Sequence, residues 1–243
     1  MGRRTGCVVA CACAAAFLGG VVSTGPTATA RGGAVARDDD SGGGDRSSAL
    51  RAELQAAADG SARFAVRDSS GAVTFIGASA DHPLRAGSDD SFSTIGREFV
   101  DQYSDLFGVG RTDLSELTTF AGRDGTGGAV RYQQEYEGVP VMAGQIAVQI
   151  DADGAVISAN GEASAGLDVD TVATVAPVDA TATAIALTAR NDGVAADVLT
   201  ASTPELWIYD PSLMGATDPL GPRLVWRIAV SYTHLTLPTN REV

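Results

Sequence analysis

The pattern of apolar and polar positions predicts three helices. From 92 to 107, apolar side chains recur every three or four residues, and charged or amide side chains fill the other face, which is typical of an amphipathic helix. Gly108 follows and suits the C-terminal cap. We expect this helix to lie across a sheet as part of the core, with binding of a partner as the alternative. Shorter helices are predicted at 48–58 and, capped by Asp179, up to Arg190.

Elsewhere the apolar period changes from 3.6 to 2, which predicts strands. Residues 130–137 and 145–151 alternate in this way and are separated by a break at Gly138-Val139-Pro140. Asp151-Ala152-Asp153-Gly154 then reverses the chain into a third strand at 155–159. The three strands are expected to form an antiparallel meander with one buried face.

Four further strands are predicted at 63–67 and 72–76, joined by a hairpin turn at 68–71, and at 205–209 and 223–230. Helices thus precede antiparallel strands twice along the chain, which indicates an α+β fold and not the alternation of a parallel sheet. We therefore predict two small modules, each a helix on an antiparallel sheet in a cystatin-like arrangement. They are placed at 48–165 and 177–230, with a linker at 166–176.

Residues 1–30 have the composition of a secretory signal peptide. Two arginines precede a run of apolar and small residues, and Ala28 and Ala30 predict cleavage before Arg31. A membrane-spanning helix and a lipoprotein signal are the alternatives, but the apolar run is shorter than the ~20 residues that a bilayer requires. All three cysteines lie in this segment, so the exported remainder has no disulfide framework. Residues 31–47, rich in Asp and Gly, are expected to form a disordered leader.

Composition and motifs argue against several functions. The formal net charge of −13 disfavours non-specific binding to nucleic acid and, once the signal is cleaved, to anionic membranes. His82 and His234 lie far apart, and no H-E-x-x-H, G-x-S-x-G or phosphate-binding loop is present. We therefore predict that the chain as it stands is not an enzyme and has neither a metal site nor a cofactor of its own. The segment 151–154 resembles the start of a calcium loop but lacks its later ligands, which favours a hairpin turn.

The meander carries a family resemblance. An aromatic-rich strand, a Gly-Val-Pro-Val turn, a strand that starts near a glycine and an Asp-Gly hairpin follow one another, and this order resembles the fungalysin/thermolysin pro-domain. The residues that carry the resemblance are Tyr132, Tyr136, Gly138, Val139, Pro140, Val141, Gly144, Asp153 and Gly154. The following segment, with Trp207 and Trp226 in its strands, resembles a PepSY module. Together the two resemblances extend over residues 63–230.

The resemblance implies regulation rather than catalysis. Such pro-regions act as intramolecular chaperones and inhibitors of secreted zinc endopeptidases, which implies the chain's own peptidase domain as its partner in cis. Zinc and calcium would be bound by that domain, and the protein would be extracellular. The thermolysin and fungalysin branches are not distinguished. Two other functions stay open: a free-standing secreted inhibitor or binding module that acts in trans, and a structural module of the cell surface.

The last residues differ in composition from the rest of the chain. Residues 231–243 are rich in Thr and contain neither Ala nor Gly, and we expect them to be a non-native tail, with a genuine tail as the alternative. A PepSY module should continue past Val230 into another strand and then the peptidase domain, so we interpret the chain as a truncated precursor. Without that strand, residues 223–230 are expected to present an unprotected edge, which favours aggregation.

Overall fold

The computed structural model describes residues 8–12, 41–68, 70–216 and 218–232, which form three α-helices and ten strands. The helices are α1 (Ser41–Ala57), α2 (Phe92–Tyr103) and α3 (Pro177–Asp192). The strands are β1 (Val8–Ala12), β2 (Arg63–Val66), β3 (Val73–Gly77), β4 (Leu114–Ala121), β5 (Gly128–Tyr136), β6 (Val139–Ile150), β7 (Val156–Glu162), β8 (Leu199–Ala201), β9 (Glu205–Tyr209) and β10 (Arg223–Tyr232). The predicted α+β class is confirmed, while the likeness to cystatins stays a prediction.

The first module is a helix on an antiparallel sheet with the strand order β4-β5-β6-β7-β3-β2. The predicted meander is its centre, because β5, β6 and β7 pair in sequence. α2 lies across β5, β4 and β6 and buries Ile95, Phe99 and Tyr103 in the core. A 3-10 turn continues the helix to Gly108, whose φ of 78° closes it. The prediction of a core helix ending at this glycine is therefore confirmed.

α2 approaches the sheet closely at Gly96. A Cβ atom at this position would lie 2.9 Å from the hydroxyl oxygen of Tyr132 and 2.9 Å from a methyl carbon of Val130. Both separations are shorter than van der Waals contact, so a larger residue would force the helix away from β5. The close packing offsets the low helix propensity of glycine, which is about 1 kcal/mol less favourable than that of alanine.

The second module consists of α3 and the strands β8, β9, β10 and β1. β10 pairs antiparallel with β9 and β8, and also with β1. α3 packs on this sheet through Ala180 and Ala184, which meet Leu199, Ile228 and Val230. Because the buried residues of the helix are small, this core contains fewer and smaller side chains than the core beneath α2.

The two modules share one continuous sheet. β6 and β9 lie side by side in parallel, with Val141 opposite Ile208. The linker predicted at 166–176 contains neither helix nor strand, and apolar residues at its start pack beside this pair. We call the cluster at this point the junction; it comprises Tyr136, Val139, Val141, Ile208 and Leu213.

Two helix boundaries differ from the prediction. α1 begins at Ser41, so residues 41–47 are helical and not part of the disordered leader that we expected, whose remaining residues lie outside the described part of the chain. An ion pair of 2.5 Å between Arg46 and Asp105 connects this first part of α1 to the end of the α2 segment. α3 begins at its proline, and Asp179 lies in the first turn instead of capping the helix. Proline is favoured there because it has no N–H to leave unpaired.

Three strands were not predicted. β4 contains a bulge at Leu117, so its side chains do not alternate regularly and the pattern of period two is lost. β8 has only three residues, and β1 lies inside the predicted signal peptide. β10 extends to Tyr232, so Ser231 and Tyr232 of the predicted tail form the end of this strand, while the non-native origin of the tail stays a prediction. Residues 233–243 lie outside the described part of the chain.

Candidate functional site

The family-like motif begins with a tight turn between β5 and β6. Glu137 and Gly138 both have left-handed backbone conformations, with φ of 50° and 78°, as a two-residue type I′ turn requires. Tyr136 and Val139 flank the turn as paired residues. The break that we predicted at Gly138-Val139-Pro140 is therefore placed too late, since the turn is Glu137-Gly138 and Pro140 already belongs to β6.

β6 contains a bulge of four residues, 141–144. The register steps from the pair Gln133–Gln145 to the pair Glu135–Pro140. Four residues of β6 therefore lie opposite a single residue of β5. Backbone groups within such a bulge lose their regular strand partners and need others.

The side-chain amide of Gln133 supplies these partners. Its Nε2 donates to the carbonyl of Val141 at 2.6 Å and to that of Gly144 at 3.0 Å. Its Oε1 accepts from the amide of Gln145 at 3.1 Å. Gln133 is buried, and a fully bonded buried amide holds the bulge in one arrangement. The sequence pattern does not indicate this role, because the alternation assigns Gln133 to the polar face of the strand.

Gly144 ends the bulge at a point where the two strands approach closely. A Cβ atom there would lie 2.8 Å from Oε1 of Gln134 and 3.1 Å from Cβ of Val141. The preceding residue, Ala143, has a φ of 62°, so the backbone is already constrained at this position. The place of Gly144 in the motif is thus explained by packing.

A buried polar chain connects β5 to the second module. The side chain of Gln134 donates to the carbonyl of Ser164 at 2.7 Å and accepts from its N–H at 2.8 Å. The hydroxyl of Ser164 donates to the carboxylate of Asp210, whose other oxygen accepts from the N–H of Ser212 at 2.9 Å. Ser164 and Asp210 are each only 5% exposed. No local sequence signal could have found this chain, because Ser164 lies 30 residues from Gln134 and 46 from Asp210.

Tyr132 of the motif is a core residue. Its side chain is fully buried beneath α2, and its hydroxyl has no hydrogen-bond partner among the described residues. The guanidinium of Arg97 lies 5.9 Å from the ring centroid. Burial and, to a smaller extent, the carboxylate of Glu116 raise the pKa of Tyr132 above its ordinary value. The hydroxyl therefore stays neutral at physiological pH and faces no accessible site.

Asp153 and Gly154 form the turn between β6 and β7, so the predicted hairpin turn is confirmed. Oδ1 of Asp151 accepts from the N–H groups of Asp153 at 3.0 Å and of Ala155 at 2.8 Å. This carboxylate therefore closes the turn. Gly154 has a φ of 75°, and a Cβ atom there would lie 2.0 Å from the carbonyl oxygen of Ser88, so only glycine fits.

The two tryptophans lie on the second module, away from the bulge. The indole N–H of Trp226 donates to the carbonyl of Val175 at 3.0 Å and so fixes the linker against β10. Trp207 lies beneath the guanidinium of Arg227, 4.9 Å from the ring centroid. Arg227 also forms an ion pair of 3.2 Å with Glu205. The structure thus gathers Tyr136, Val139 and Val141 at the junction but separates the tryptophans from them.

The face of the first sheet opposite α2 remains accessible. A row across its strands carries Phe75, Asn160, Ala147 and Arg131. Phe120 of β4 lies beside this row, with the guanidinium of Arg131 at 5.9 Å from its ring centroid. Phe75 is 40% exposed and Phe120 is 52% exposed. We call these five residues the open face.

The predicted signal-cleavage residues Ala28, Ala30 and Arg31 lie outside the described part of the chain, so this site stays a prediction. Within the described residues, no group of three or more His, Cys, Asp or Glu side chains is placed to hold a metal ion. No helix of the described ranges is long and apolar enough to cross a membrane.

Comparison with protein families places a known motif on the meander. Residues 123–163 match the family model described as Fungalysin/Thermolysin Propeptide Motif. This range includes β5, β6 and β7, and therefore the tight turn and the bulge. The match supports a propeptide of the thermolysin or fungalysin type, while the resemblance of the second module to PepSY stays a prediction. A comparison with curated proteins gave no match.

Proposed function

We propose that this chain is the pro-region of a secreted zinc metalloendopeptidase precursor, and that it acts in cis as chaperone and inhibitor of the peptidase domain. The observation that carries the proposal is the propeptide-motif match over β5 to β7. Neither role requires a catalytic group in the pro-region itself. The zinc, and the calcium expected with it, would be bound by the peptidase domain.

The arrangement of the junction suits a folding template. A template must keep its shape while a larger domain assembles on it, because slow folding leaves apolar surface exposed for longer. Here the continuous sheet, the apolar cluster at Val141 and Ile208, and the buried chain from Gln134 to Asp210 hold the two modules together. The modules would therefore present one rigid surface to the peptidase domain.

The open face is the surface that we assign to this contact. Its centre consists of small and polar side chains, and its two sides carry the exposed rings of Phe75 and Phe120. Exposed aromatic side chains next to an arginine are the kind of groups that contribute most to protein interfaces. A tether between pro-region and peptidase would raise the effective concentration of this surface to the millimolar range, so modest affinity would suffice for inhibition.

The direct test uses the full chain together with a thermolysin-type zinc endopeptidase domain prepared without its own pro-region. The denatured peptidase domain is diluted into buffer with zinc and calcium, with and without the chain, and the recovered peptidase activity is measured. In a second assay the chain is titrated against the native enzyme. We expect a higher yield of active enzyme in the first assay and saturable inhibition in the second.

A matched control is the chain with Gly144→Val, which differs at this one residue and places a branched side chain against Gln134 and Val141. It should neither assist folding nor inhibit. Equal effects of both chains would contradict a structure-dependent role, and no effect of either would favour a structural surface module. The gene sequence after the codon for Val230 distinguishes action in cis from action in trans, since only the former predicts an H-E-x-x-H peptidase in the same reading frame.

A further inference from the structure

β10 has two edges with different partners. Along one edge it pairs with β9 at residues 223–227 and with β8 at residues 230–232. Along the other edge it pairs antiparallel with β1, and the register sets Val8 opposite Val230 and Ala12 opposite Trp226. We call the second edge the outer edge of β10.

Hydrogen bonds to Ala229 identify which backbone groups face each edge. The N–H of Ala229 donates to the hydroxyl of Ser202 at 3.0 Å, and its carbonyl accepts from the N–H of Ser202 at 2.8 Å. Ala229 therefore faces Ser202, the residue directly after β8, and not β1. Because successive residues of a strand direct their N–H and carbonyl groups to opposite sides, Ile228 and Val230 face the outer edge. β1 is the strand that meets them there.

The outer edge is poorly protected without β1. The stretch of β10 that pairs with β1 contains Trp226, Ile228 and Val230 but no proline, and its one charged residue, Arg227, is paired with Glu205 of β9. The core beneath α3 is small, and α3 also contacts β1. An apolar strand added at this edge would satisfy its backbone groups and extend the surface on which α3 packs.

We propose that the outer edge of β10 is a strand-acceptor site and that its occupant in this chain is the N-terminal apolar segment 8–12. This goes beyond a role as signal peptide, since the segment would also act as an edge strand of the second module until it is removed. Cleavage after Ala30, as predicted from the sequence, would then open the outer edge. The site would accept an extended apolar segment in antiparallel register.

A pair of proline variants of the full chain tests the pairing. The register sets Ala10 opposite Ile228, so the N–H of Ala10 should face β10, whereas that of Val9 should face away. Ala10→Pro removes a bond of the ladder, while Val9→Pro is the matched control on the side of β1 that faces away from β10. Amide hydrogen exchange is measured by NMR. We expect the protection of the Ile228 and Val230 amides against hydrogen exchange to fall by about tenfold or more in Ala10→Pro but not in Val9→Pro.

The amide of Ala229 is an internal control, since it donates to the hydroxyl of Ser202 in either case. Loss of protection at Ala229 to the same extent as at its neighbours would indicate general unfolding rather than release of β1. Unchanged protection at Ile228 and Val230 in Ala10→Pro would overturn the proposal.

A disulfide test gives a second, independent measurement. The register sets Cys11 opposite Arg227, and paired residues of this kind have Cα atoms about 4.5–5.5 Å apart, which suits a disulfide. Arg227→Cys is made in a full chain with Cys7→Ser and Cys13→Ser, expressed under reducing conditions and then oxidised. The matched control is Glu205→Cys, which breaks the same ion pair but lies on the β9 side of β10.

We expect an intramolecular Cys11 disulfide, identified by peptide mass spectrometry, in the Arg227→Cys chain and not in the control. Disulfides found only between molecules would overturn the assignment in cis and would indicate exchange of the segment between two copies. Absence of any Cys11 disulfide in the Arg227→Cys chain, with its fold intact by circular dichroism, would overturn it as well.

Discussion

Replacing Gln133 with alanine should destabilise the protein strongly, because this one amide completes the bulge of β6. Its Nε2 donates to the carbonyls of Val141 and Gly144, at 2.6 and 3.0 Å, and its Oε1 accepts from Gln145. A buried polar group left without a partner costs about 1–3 kcal/mol. With two bulge carbonyls affected, and with partial relief by water entering the space, we expect Gln133→Ala to lower the free energy of unfolding by about 2–4 kcal/mol.

Urea unfolding of the full chain, followed by tryptophan fluorescence and circular dichroism, measures this change. With a dependence on urea of about 2 kcal/mol/M, the midpoint should fall by about 1–2 M. The matched control is Gln149→Ala in the same strand. Gln149 pairs with Ala129 and Ser158, away from the bulge, so its replacement should change the free energy by less than about 0.5 kcal/mol.

Gln133→Glu separates hydrogen bonding from packing, because it keeps the size of the side chain. At neutral pH it replaces the donating amide by a carboxylate that faces carbonyl oxygens, so it should be at least as destabilising as Gln133→Ala. Protonation restores one donor, and the midpoint of this variant relative to the unaltered chain should rise as the pH is lowered. The reasoning is refuted if Gln133→Ala and Gln149→Ala unfold at the same urea concentration.

Three further predictions follow from other contacts of the described residues. Gly96→Ala should lower the free energy of unfolding by about 1–3 kcal/mol despite the better helix propensity of alanine, because its Cβ would meet Tyr132; stabilisation in thermal unfolding would contradict this. Tyr132→Phe should change it by less than about 1 kcal/mol at pH 7, since the hydroxyl is unpartnered. Burial raises the pKa of Tyr132, so above pH ~10 the unfolded chain releases a proton that the folded chain keeps, and the free energy of unfolding falls as the pH rises. Urea unfolding at several pH values should show a smaller fall for Tyr132→Phe than for the unaltered chain. Asp210→Ala should lower the free energy of unfolding by about 1–3 kcal/mol, because it leaves the hydroxyl of Ser164 unpartnered. It should also speed proteolysis of the 166–176 linker. An unchanged cleavage rate would show that the buried hydrogen bonds from Gln134 to Asp210 do not hold the modules together.

Elements whose signals are local could be predicted from the sequence. α2 combines a regular apolar period with a glycine cap, and the turn at Asp153-Gly154 combines an acidic side chain that bonds the backbone with a glycine at positive φ. Each of these features is determined by residues within a few positions of one another. The two hairpins of the meander were therefore found, although the first turn was placed one residue too late.

Features that depend on distant partners could not be predicted in this way. Gln133 and Gln134 are adjacent in the sequence, yet one serves the bulge and the other reaches Ser164, 30 residues away. The β6–β9 pairing, which makes one sheet of the two modules, rests on Val141 and Ile208, and neither differs in type from many other apolar residues of the chain. Period and composition contain no information on such pairings, because they follow from the closure of the whole fold.

The burial of three motif residues bears on how the family match is interpreted. Tyr132 and Val141 are fully buried and Gly144 is fixed by packing, so the motif describes how β5 and β6 are built and joined to the second module. Gly138 and Asp153 of the motif are exposed, so a surface for the proposed contact with a peptidase domain can include them but not the three inward residues. On the first module, the open face offers accessible side chains of the required kind, with Phe120 and Arg131 in contact with each other. Under the proposed function, changes at Tyr132, Val141 or Gly144 should weaken chaperone and inhibitor activity together by destabilising the fold, whereas changes on the open face should weaken them without altering the free energy of unfolding.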